Sequence, residues 1–525
     1  MTSPPGPSEP AAAGVHEAAR REKLRKISAL GIDPWGSRFD QRQWIGDVRR
    51  LSRHVQFQTA DGQLHALPDF NLDPRPDYRA WKAALGGGEE QGPHVRVAGR
   101  IYLQRTAGKL IFLTIHDWTG VIQVAVGKGQ VAEGDFELTK LLDLGDWVGI
   151  DGRLGYTNTG ELTVFASRLH FLTKMLEPPP EKHAGLTDPE LRQRLRYLDL
   201  NYTDGVRESF LNRTKIIKAV RQTLDDRQYI EIEGPTLHTI AGGAAARPFK
   251  THHNALDMPL VLRIALELHL KRLLVGGLER VYELGRVYRN EGISPRHNPE
   301  FTMLEAYEAF GDYRTMMDLT ESVILAAIEA VDGNHQRQFN GQQLDFTPPF
   351  RRATYDGLIA EHLQIDPTSA SAIADRARLA GIEVADKHPD VIKSELFEAL
   401  VEDRLVGPIF VMDYPASICP LTKRKATNPE VAERFELYAC GMELANAYTE
   451  LNDPDLQEQL FQTQLAGLAA DESMARMDHD FIRALRHGMP PAGGLGIGID
   501  RLIMLLLDRR SIRDVILFPL LRNTQ

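Results

Sequence analysis

The sequence predicts an α+β protein in which a small closed β-barrel precedes a larger domain of mixed strands and helices. Two observations carry this. Between Val95 and Leu172, five short alternating stretches (VRVAGRIYL, KLIFLTIHD, VIQVAV, WVGIDGRL, ELTVFASRLHFL) are separated by turn pairs such as Ala107-Gly108, Thr119-Gly120 and Thr159-Gly160, a pattern that suits a compact barrel. Further on, RNEGISPRHNPEFTMLEAY (Arg289 to Tyr307) links two period-two runs. Val281, Glu283, Gly285, Val287, Arg289 and Glu291 share one side before it, and Phe301, Met303, Glu305 and Tyr307 share one side at its end. Gly292, Pro295, Asn298 and Pro299 set turn backbones between them, so an antiparallel hairpin is expected. If both strands face one cleft, it holds an arginine, two carboxylates, an aromatic ring, a phenol and a loop histidine, parts for gripping a nucleotide and an amino acid together. Alternating charge also suits a solvated sheet face, and the hairpin alone does not separate the two.

Composition narrows the function classes. A net charge of −10 excludes a uniformly basic nucleic-acid coat, so any RNA contact is local and shape-specific. The two cysteines, Cys419 and Cys440, have no metal-ligand spacing around them, which fits a reducing compartment. No apolar run of membrane-spanning length and no signal-peptide core is present, so the expected setting is cytoplasmic, away from membranes.

Taken in order, residues 1–15 (MTSPPGPSEPAAAGV) read as a disordered tail and 16–55 as a helical extension, with a helix from His16 to Leu30 ended by Gly31 and Pro34. Its Arg20, Arg21, Lys23, Arg25 and Lys26 suit a solvated face better than contacts to RNA phosphates. Residues 56–93, with GGGEEQG and several prolines, read as a linker or insertion with little structure of its own. The barrel occupies 94–175, and an oligonucleotide-binding barrel is the natural candidate at this size. There Phe112 could stack on a base and Gln123 read its edge, although taken alone Phe112 suits the barrel core better.

Pro178, Pro179 and Pro180 close the barrel, and the larger domain is expected over 176–525. A long helix from Val206 to Arg227 precedes YIEIEGPTL, whose Pro235 suits an edge or interface strand. Gly242 and Gly243 allow close backbone approach to a ligand, or a simple turn. The helix LELHLKRLLVGG, stopped at Gly276 and Gly277, sets Glu267 beside an apolar ladder, where a carboxylate needs a cation and a substrate could supply it. The stretch 312–425 reads as an insertion or lid plus more of the sheet. In ERFELYACGMELANAYTELNDP, Glu436 and Glu443 flank a turn at Cys440-Gly441, a placement that suits Mg²⁺ beside phosphates. Glu443, Asn446 and Glu450 fit either a helix face or a bulged strand. Finally, GGLGIGIDRLIMLLLD lines up Gly494, Gly496 and Gly498 as a flat strand side for a planar base, with Arg501 following in the first helical turn.

YIEIEGPTL, YRNE with its loop and phenylalanine, and GGLGIGIDR resemble, in order and spacing, the three signature motifs of class II aminoacyl-tRNA synthetases. More narrowly, AGGAAARPFKTHHNALDM, RNEGISPRHNPEFTMLEAY, ERFELYACGMELANAYTELNDP and GGLGIGIDRLIMLL resemble the class II lysyl-tRNA synthetases. The resemblance covers about Glu17 to Val55 and Val95 to Leu521. It implies an antiparallel catalytic sheet flanked by helices, an OB-fold barrel that reads the anticodon, and a homodimer joined through the proline-bearing motif. The implied reaction joins L-lysine to ATP and passes the lysyl group to tRNA(Lys), with Mg²⁺ as cofactor. By motif position, Arg289 holds the α-phosphate and the lysine carboxylate, while Glu291, His297, Asn298, Phe301 and Glu436 complete the ATP site. Arg501 covers the adenine, and Glu436 with Glu443 binds Mg²⁺. Gly243 and Glu305 receive the lysine α-amino group, Asn446 its carboxylate, and Glu267, Glu450 and Tyr307 its ε-ammonium; Phe112, Gln123 and Glu161 contact the anticodon. Four positions depart from the pattern: Leu266 for proline, His269 for tyrosine, Gln104 for a basic residue and His116 for glutamine. The rivals are a ligase that lysylates a protein, which would lack the barrel, a non-catalytic lysine or ATP sensor, and a sibling synthetase for aspartate or asparagine, whose pocket would offer cations.

Overall fold

The computed structural model describes residues 10–70, 73, 75–180, 186–244, 246–466 and 478–522. The chain divides into two compact units, one up to residue 185 and one from Leu186 onward, rather than at residue 176.

In the first unit, all five expected strands close a barrel: β1 (His94–Ala107), β2 (Leu110–His116), β3 (Val121–Gly127), β4 (Trp147–Tyr156) and β5 (Leu162–Thr173), in the order β1-β2-β3-β5-β4. Only β3 and β5 run parallel. The alternation works as read, since Val97, Leu113, Ile115, Val124, Val148, Ile150 and Val164 all fill the interior with no exposed surface. Helix α1 spans Pro10–Ala29, so it starts inside the expected tail; residues 1–9 lie outside the described residues. Its basic stripe is also less solvated than expected. Arg20 donates to the carbonyls of Leu144 (3.1 Å) and Met175 (2.9 Å), Lys23 pairs with Asp143 (2.7 Å), and Ile27 is fully buried. Arg21, Arg25 and Lys26 keep to the solvated face, paired with Glu17 and Glu22.

The expectation of an unstructured 56–93 segment is corrected. Gln56–Thr59, Leu64–Ala66 and Gly88–Gln91 form a three-stranded sheet, and Tyr78–Ala84 a helix. Its aromatics supply the missing core. Phe57 and Tyr78 are buried, the Phe70 and Tyr156 rings lie 4.7 Å apart, and Tyr78 donates to Glu90 (2.8 Å), whose other oxygen accepts from the Tyr156 amide (2.7 Å). Arg75 reaches the Gly160 carbonyl (2.5 Å).

The second unit is built on an eight-stranded sheet. Its strands are β6 (Ile230–Glu231), β7 (Arg280–Tyr288), β8 (Glu300–Ala309), β9 (Arg351–Thr354), β10 (Ile409–Met412), β11 (Arg434–Ala439), β12 (Met442–Thr449) and β13 (Ala492–Gly498), in the order β9-β10-β11-β12-β13-β8-β7-β6. The six central strands are antiparallel, but each edge strand pairs parallel, so the sheet is mixed. Helices α2 (Val206–Asp226), α4 (Tyr313–Glu329) and α5 (Ile499–Leu506) contribute Ile216, Val220, Leu224, Val323, Ile324, Leu502 and Ile503 to one core with Leu304, Leu437, Leu495 and Ile497 of the sheet, while α3 (Glu267–Val275) adds Leu270 and Leu274 to a second cluster with Val281, Val287 and Tyr307. Pro235 lies just beyond β6 at the sheet edge, as a residue without an amide hydrogen requires. The 312–425 stretch gives the sheet its strands β9 and β10, and helices Tyr355–Leu363, Ala370–Leu379 and Pro389–Leu400 between them share their own core.

Candidate active site

The expected hairpin is present, and its register puts the predicted residues side by side: Val281 opposite Tyr307, Glu283 opposite Glu305, Gly285 opposite Met303 and Val287 opposite Phe301. Strand β13 lies against β8 with Gly494, Gly496 and Gly498 opposite Tyr307, Glu305 and Met303, and β12 follows with Asn446 opposite Gly496. Because these glycines raise no side chains, the sheet face forms the floor of a cavity of about 480 Å³. Gly243, Glu267, Arg289, Glu291, His297, Asn298, Phe301, Glu305, Tyr307, Glu443, Asn446 and Arg501 all line it; Glu436 and Glu450 do not. Glu283 also stays out, bound to Arg263 (2.5 Å).

The β11–β12 hairpin resolves the spacing of Glu443, Asn446 and Glu450. Cys440 and Gly441 both adopt left-handed backbone (φ 51° and 60°) and turn the chain. A bulge then shifts the register so that Glu436 faces Asn446 while Tyr438 faces Glu443. The bulged strand, not a helix, therefore puts Glu443 on the same side as Asn446, diagonal to Glu436.

One end of the cavity is basic. Arg289 lies with its guanidinium 5.2 Å from the Phe301 ring centroid and donates to the Ile264 carbonyl (3.3 Å). Arg501 donates to the Glu443 carbonyl (3.0 Å) and to His297 Nε2 (3.1 Å). That bond makes Nε2 an acceptor, so Nδ1 carries the hydrogen donated to Ser294 Oγ (2.7 Å). Burial and the Arg501 charge lower the His297 pKa, keeping the ring neutral. Asn298 Oδ1 is buried with no partner among the described residues, an acceptor open to a ligand donor. Asp500, bound to Arg213 (2.5 Å) and to the Thr302 amide (2.6 Å), fixes the start of α5 and so the root of Arg501.

Glu436 and Glu443 are brought together, but not symmetrically. Glu436 Oε2 accepts from Tyr414 (2.8 Å) and Tyr438 (2.6 Å), and Oε1 is bonded by Arg434, which leaves Oε1 one lone pair. Arg434 also donates to Asn446 Oδ1 (3.2 Å), tying the two positions. Burial and the Glu436 charge raise the Glu443 pKa. Among the described residues, no group of three or more His, Cys, Asp or Glu is placed to hold a metal.

The other end is acidic, and here the structure corrects the reading in which Glu267 and Glu450 await only a substrate cation. Lys271, four residues after Glu267 on α3, is fully buried and clasps both, at 2.5 Å from Glu267 Oε1 and against Glu450 Oε2. Glu305 accepts from the Leu266 amide (2.9 Å) and from Tyr307 Oη (3.0 Å). Proline in place of Leu266 could not make the first of these bonds. The Tyr307 phenol thus points at Glu305. Burial and then the Glu267 charge push Glu305 up to about 7. Burial also pushes Glu450 up, and with Glu267 and Glu305 nearby a single ammonium does not reverse it.

Residues 188–522 match the tRNA synthetases class II (D, K and N) family, and residues 95–172 the OB-fold nucleic acid binding domain family. A lysine–tRNA ligase of Thermoanaerobacter sp. (strain X514) is 46% identical over 96% of this chain and 95% of its own length. Lysine–tRNA ligases of Moorella thermoacetica (strain ATCC 39073 / JCM 9320; 46% identical) and Staphylococcus aureus (strain MRSA252; 45%) align over 96% of this chain and over 97% and 98% of their own. The chain belongs to the lysine–tRNA ligase family of class II synthetases. The synthetase fold and OB barrel expected from the sequence are thus both present.

In this synthetase the barrel residues meet as well. Phe112 is half-buried, outside the barrel core, with the Arg105 guanidinium 4.8 Å from its ring centroid. Gln123 bonds Arg105 (2.8 Å) and Thr163 (2.8 Å), and Glu161 lies 3.7 Å from Arg75 of the 56–93 segment. Sequence reading missed Lys271, Arg434, Tyr414 and Asp500. Of these Lys271 left a local signal in its i, i+4 spacing from Glu267, and Arg434 in its i, i+2 spacing from Glu436 on a strand.

Proposed function

We propose that the cavity activates L-lysine with ATP and passes the lysyl group to the 3′-terminal adenosine of tRNA(Lys). One observation supports this most: three buried carboxylates, Glu267, Glu305 and Glu450, stand at one end of the cavity around one internal ammonium, while two arginines, Arg289 and Arg501, stand at the other. L-lysine brings two ammonium groups to the acidic end, and ATP brings phosphates to the basic end. Aspartate or asparagine brings no side-chain cation, so a pocket for either has no use for Glu267 and Glu450.

In this reading Gly243 and Glu305 take the α-ammonium, Glu267 and Glu450 the ε-ammonium, with Tyr307 closing over them, and Asn446 with Arg289 holds the carboxylate. Phe301 stacks on adenine, Arg501 covers its other face, and Glu291, His297 and Asn298 bind the base and phosphates. The lysine carboxylate is already the nucleophile, so no general base is needed. It attacks the α-phosphorus, the bond to the β-phosphate oxygen breaks, and pyrophosphate leaves. Arg289 supplies positioning and charge neutralisation at the α-phosphate. Glu443 and the remaining lone pair of Glu436 fit a magnesium ion, because a cation there relieves the repulsion between the two carboxylates. When bound it neutralises phosphate charge. Homodimerisation through the edge around Pro235 is supported by the exposure of Ile230 (48%) and Leu237 (49%) on either side of it.

Charging total tRNA with each amino acid in turn is the test. Lysine alone is expected to be attached, to lysine tRNA; attachment of aspartate or asparagine overturns the assignment. Replacing Phe112 by alanine is expected to raise the tRNA KM about 5–150-fold, the cost of one lost base stack of about 1–3 kcal/mol, and to leave adenylate formation unchanged. Equal tRNA KM values for F112A and the wild type would contradict the anticodon role.

Lysine binding should also depend on pH. Glu305 must be ionised to meet the α-ammonium, yet its pKa in the free protein is about 7. The neutral carboxyl favours the free fold at low pH, and that contribution fades as pH rises through about 7. Lysine affinity rises over the same range. The increase in Tm caused by lysine should therefore be larger at about pH 8 than at about pH 6. Scanning calorimetry with and without lysine checks this, and an increment that shrinks with pH would contradict it.

A further inference from the structure

Lys271 belongs to none of the roles assigned above, although among the described residues it is the one cation inside the acidic end. It does not line the cavity. Its side chain rises from α3 behind the pocket wall and is fully buried. Which oxygens it takes is informative. It binds Oε1 of Glu267 and Oε2 of Glu450. The opposite oxygens lie on the glycine side: Glu267 Oε2 sits 3.7 Å from where a Cβ of Gly243 would lie, and a Cβ on Gly494 would overlap Glu450 Oε1. Both glycines line the cavity. Both Glu450 oxygens are buried without a hydrogen-bond partner among the described residues; Oε2 is ion-paired to Lys271 and Oε1 is not. Each carboxylate is thus held by its rear oxygen, and its other oxygen lies beside a cavity-lining glycine.

We infer that Lys271 is a positioning residue for amino-acid selection: it anchors Glu267 and Glu450 from behind and sets the surplus at two negative charges, matching the two ammonium groups of L-lysine. The inference rests on the lysine-activating role proposed above. Among the described residues the count is direct, with three carboxylates against one ammonium. Arg289, the next cation, stands at the phosphate end, and its charge is shared among Glu291, Glu443 and, from the acidic end, Glu305. The other groups facing the clasp are the phenols of Tyr448, whose ring centroid is 5.5 Å from the ammonium, and Tyr307. Burial works against the Lys271 charge, but Glu267 and Glu450 together outweigh it and raise its pKa, so it stays charged. Without it, two buried carboxylates at the side-chain end would lose their counter-charge and take up a proton that lysine must displace.

The experiment is lysine-dependent pyrophosphate exchange across pH with the wild-type chain, K271M and K271M/E450Q. For K271M the lysine KM is expected to climb about tenfold for each pH unit below the raised carboxyl pKa, with the ATP KM within about twofold of wild type. In K271M/E450Q one cation and one carboxylate leave together, the surplus returns to two, and the pH slope falls back toward wild type. The double variant also lacks the stranded charge that could unfold K271M. If K271M does not fold, a folded double variant with the wild-type slope supports the inference. A residue that merely props α3 against the sheet would raise both KM values together with an unchanged pH slope. That result overturns the inference, as does a double variant that is unfolded or whose lysine KM is as pH-dependent as that of K271M. Absence of lysine-dependent exchange in the wild type would remove the functional reading itself and this inference with it.

Discussion

Replacing Arg289 by alanine is expected to lower lysine-dependent pyrophosphate exchange on the order of 10²–10³-fold, mostly in kcat. The guanidinium is half-buried in the cavity wall, held by the Ile264 carbonyl and the Phe301 ring, and so is oriented before any substrate arrives. Charge grows at the α-phosphate as the lysine carboxylate attacks, and a fixed cation there stabilises the transition state more than the ground state. R289K keeps the charge but loses the planar two-pronged geometry, so it should recover only part of the rate. Single-turnover measurements separate adenylate formation from release; an R289A protein with an unchanged chemical step would contradict the placement of Arg289.

A smaller but still large effect is expected from one added methyl group. In Gly494→Ala the new Cβ would overlap Glu450 Oε1 and lie 2.6 Å from Tyr307 Cε1. Glu450 cannot retreat because Lys271 holds it, and the Tyr307 phenol is bonded to Glu305. Overpacking of this kind costs about 1–3 kcal/mol, so the lysine KM should rise about 5–150-fold with the ATP KM nearly unchanged. Gly498 makes the comparison, since a Cβ there meets nothing nearer than Arg501 Cδ at 3.7 Å. G498A should leave lysine binding intact and weaken ATP, whose base would rest on that part of the strand. Steady-state KM values for both substrates test the split, and a G494A enzyme with wild-type lysine KM would contradict the position of the ammonium pocket.

What could be read beforehand was what short-range pattern encodes. The barrel strands and the Arg280–Ala309 hairpin announce themselves through period-two alternation broken by turn residues, and each folds as that pattern dictates. Residues on one side of such strands, from Arg289 through Tyr307, reach the cavity because register carries them there. Features set by distant partners stayed hidden. The clasp on Glu436 needs Tyr414 as well as its strand neighbours Arg434 and Tyr438, and the Lys271 bridge needs Glu450 from just past β12, far along the chain. The parallel edges were invisible for the same reason, since β6 and β9 are too short to declare a direction. In the 56–93 segment, glycines and prolines masked four aromatics, Phe57, Phe70, Tyr78 and Trp81, whose packing with one another and with Tyr156 outweighs the turn-rich composition.

The most direct measurement is pyrophosphate exchange into ATP with a panel of single amino acids at fixed pH. A pocket with two surplus carboxylates at its end predicts exchange with L-lysine. Ornithine, one methylene shorter, should be about 10–200-fold poorer in kcat/KM, and aspartate, asparagine and norleucine should give no signal. Exchange with aspartate or norleucine at rates near that of lysine would contradict the charge complementarity on which the assignment stands.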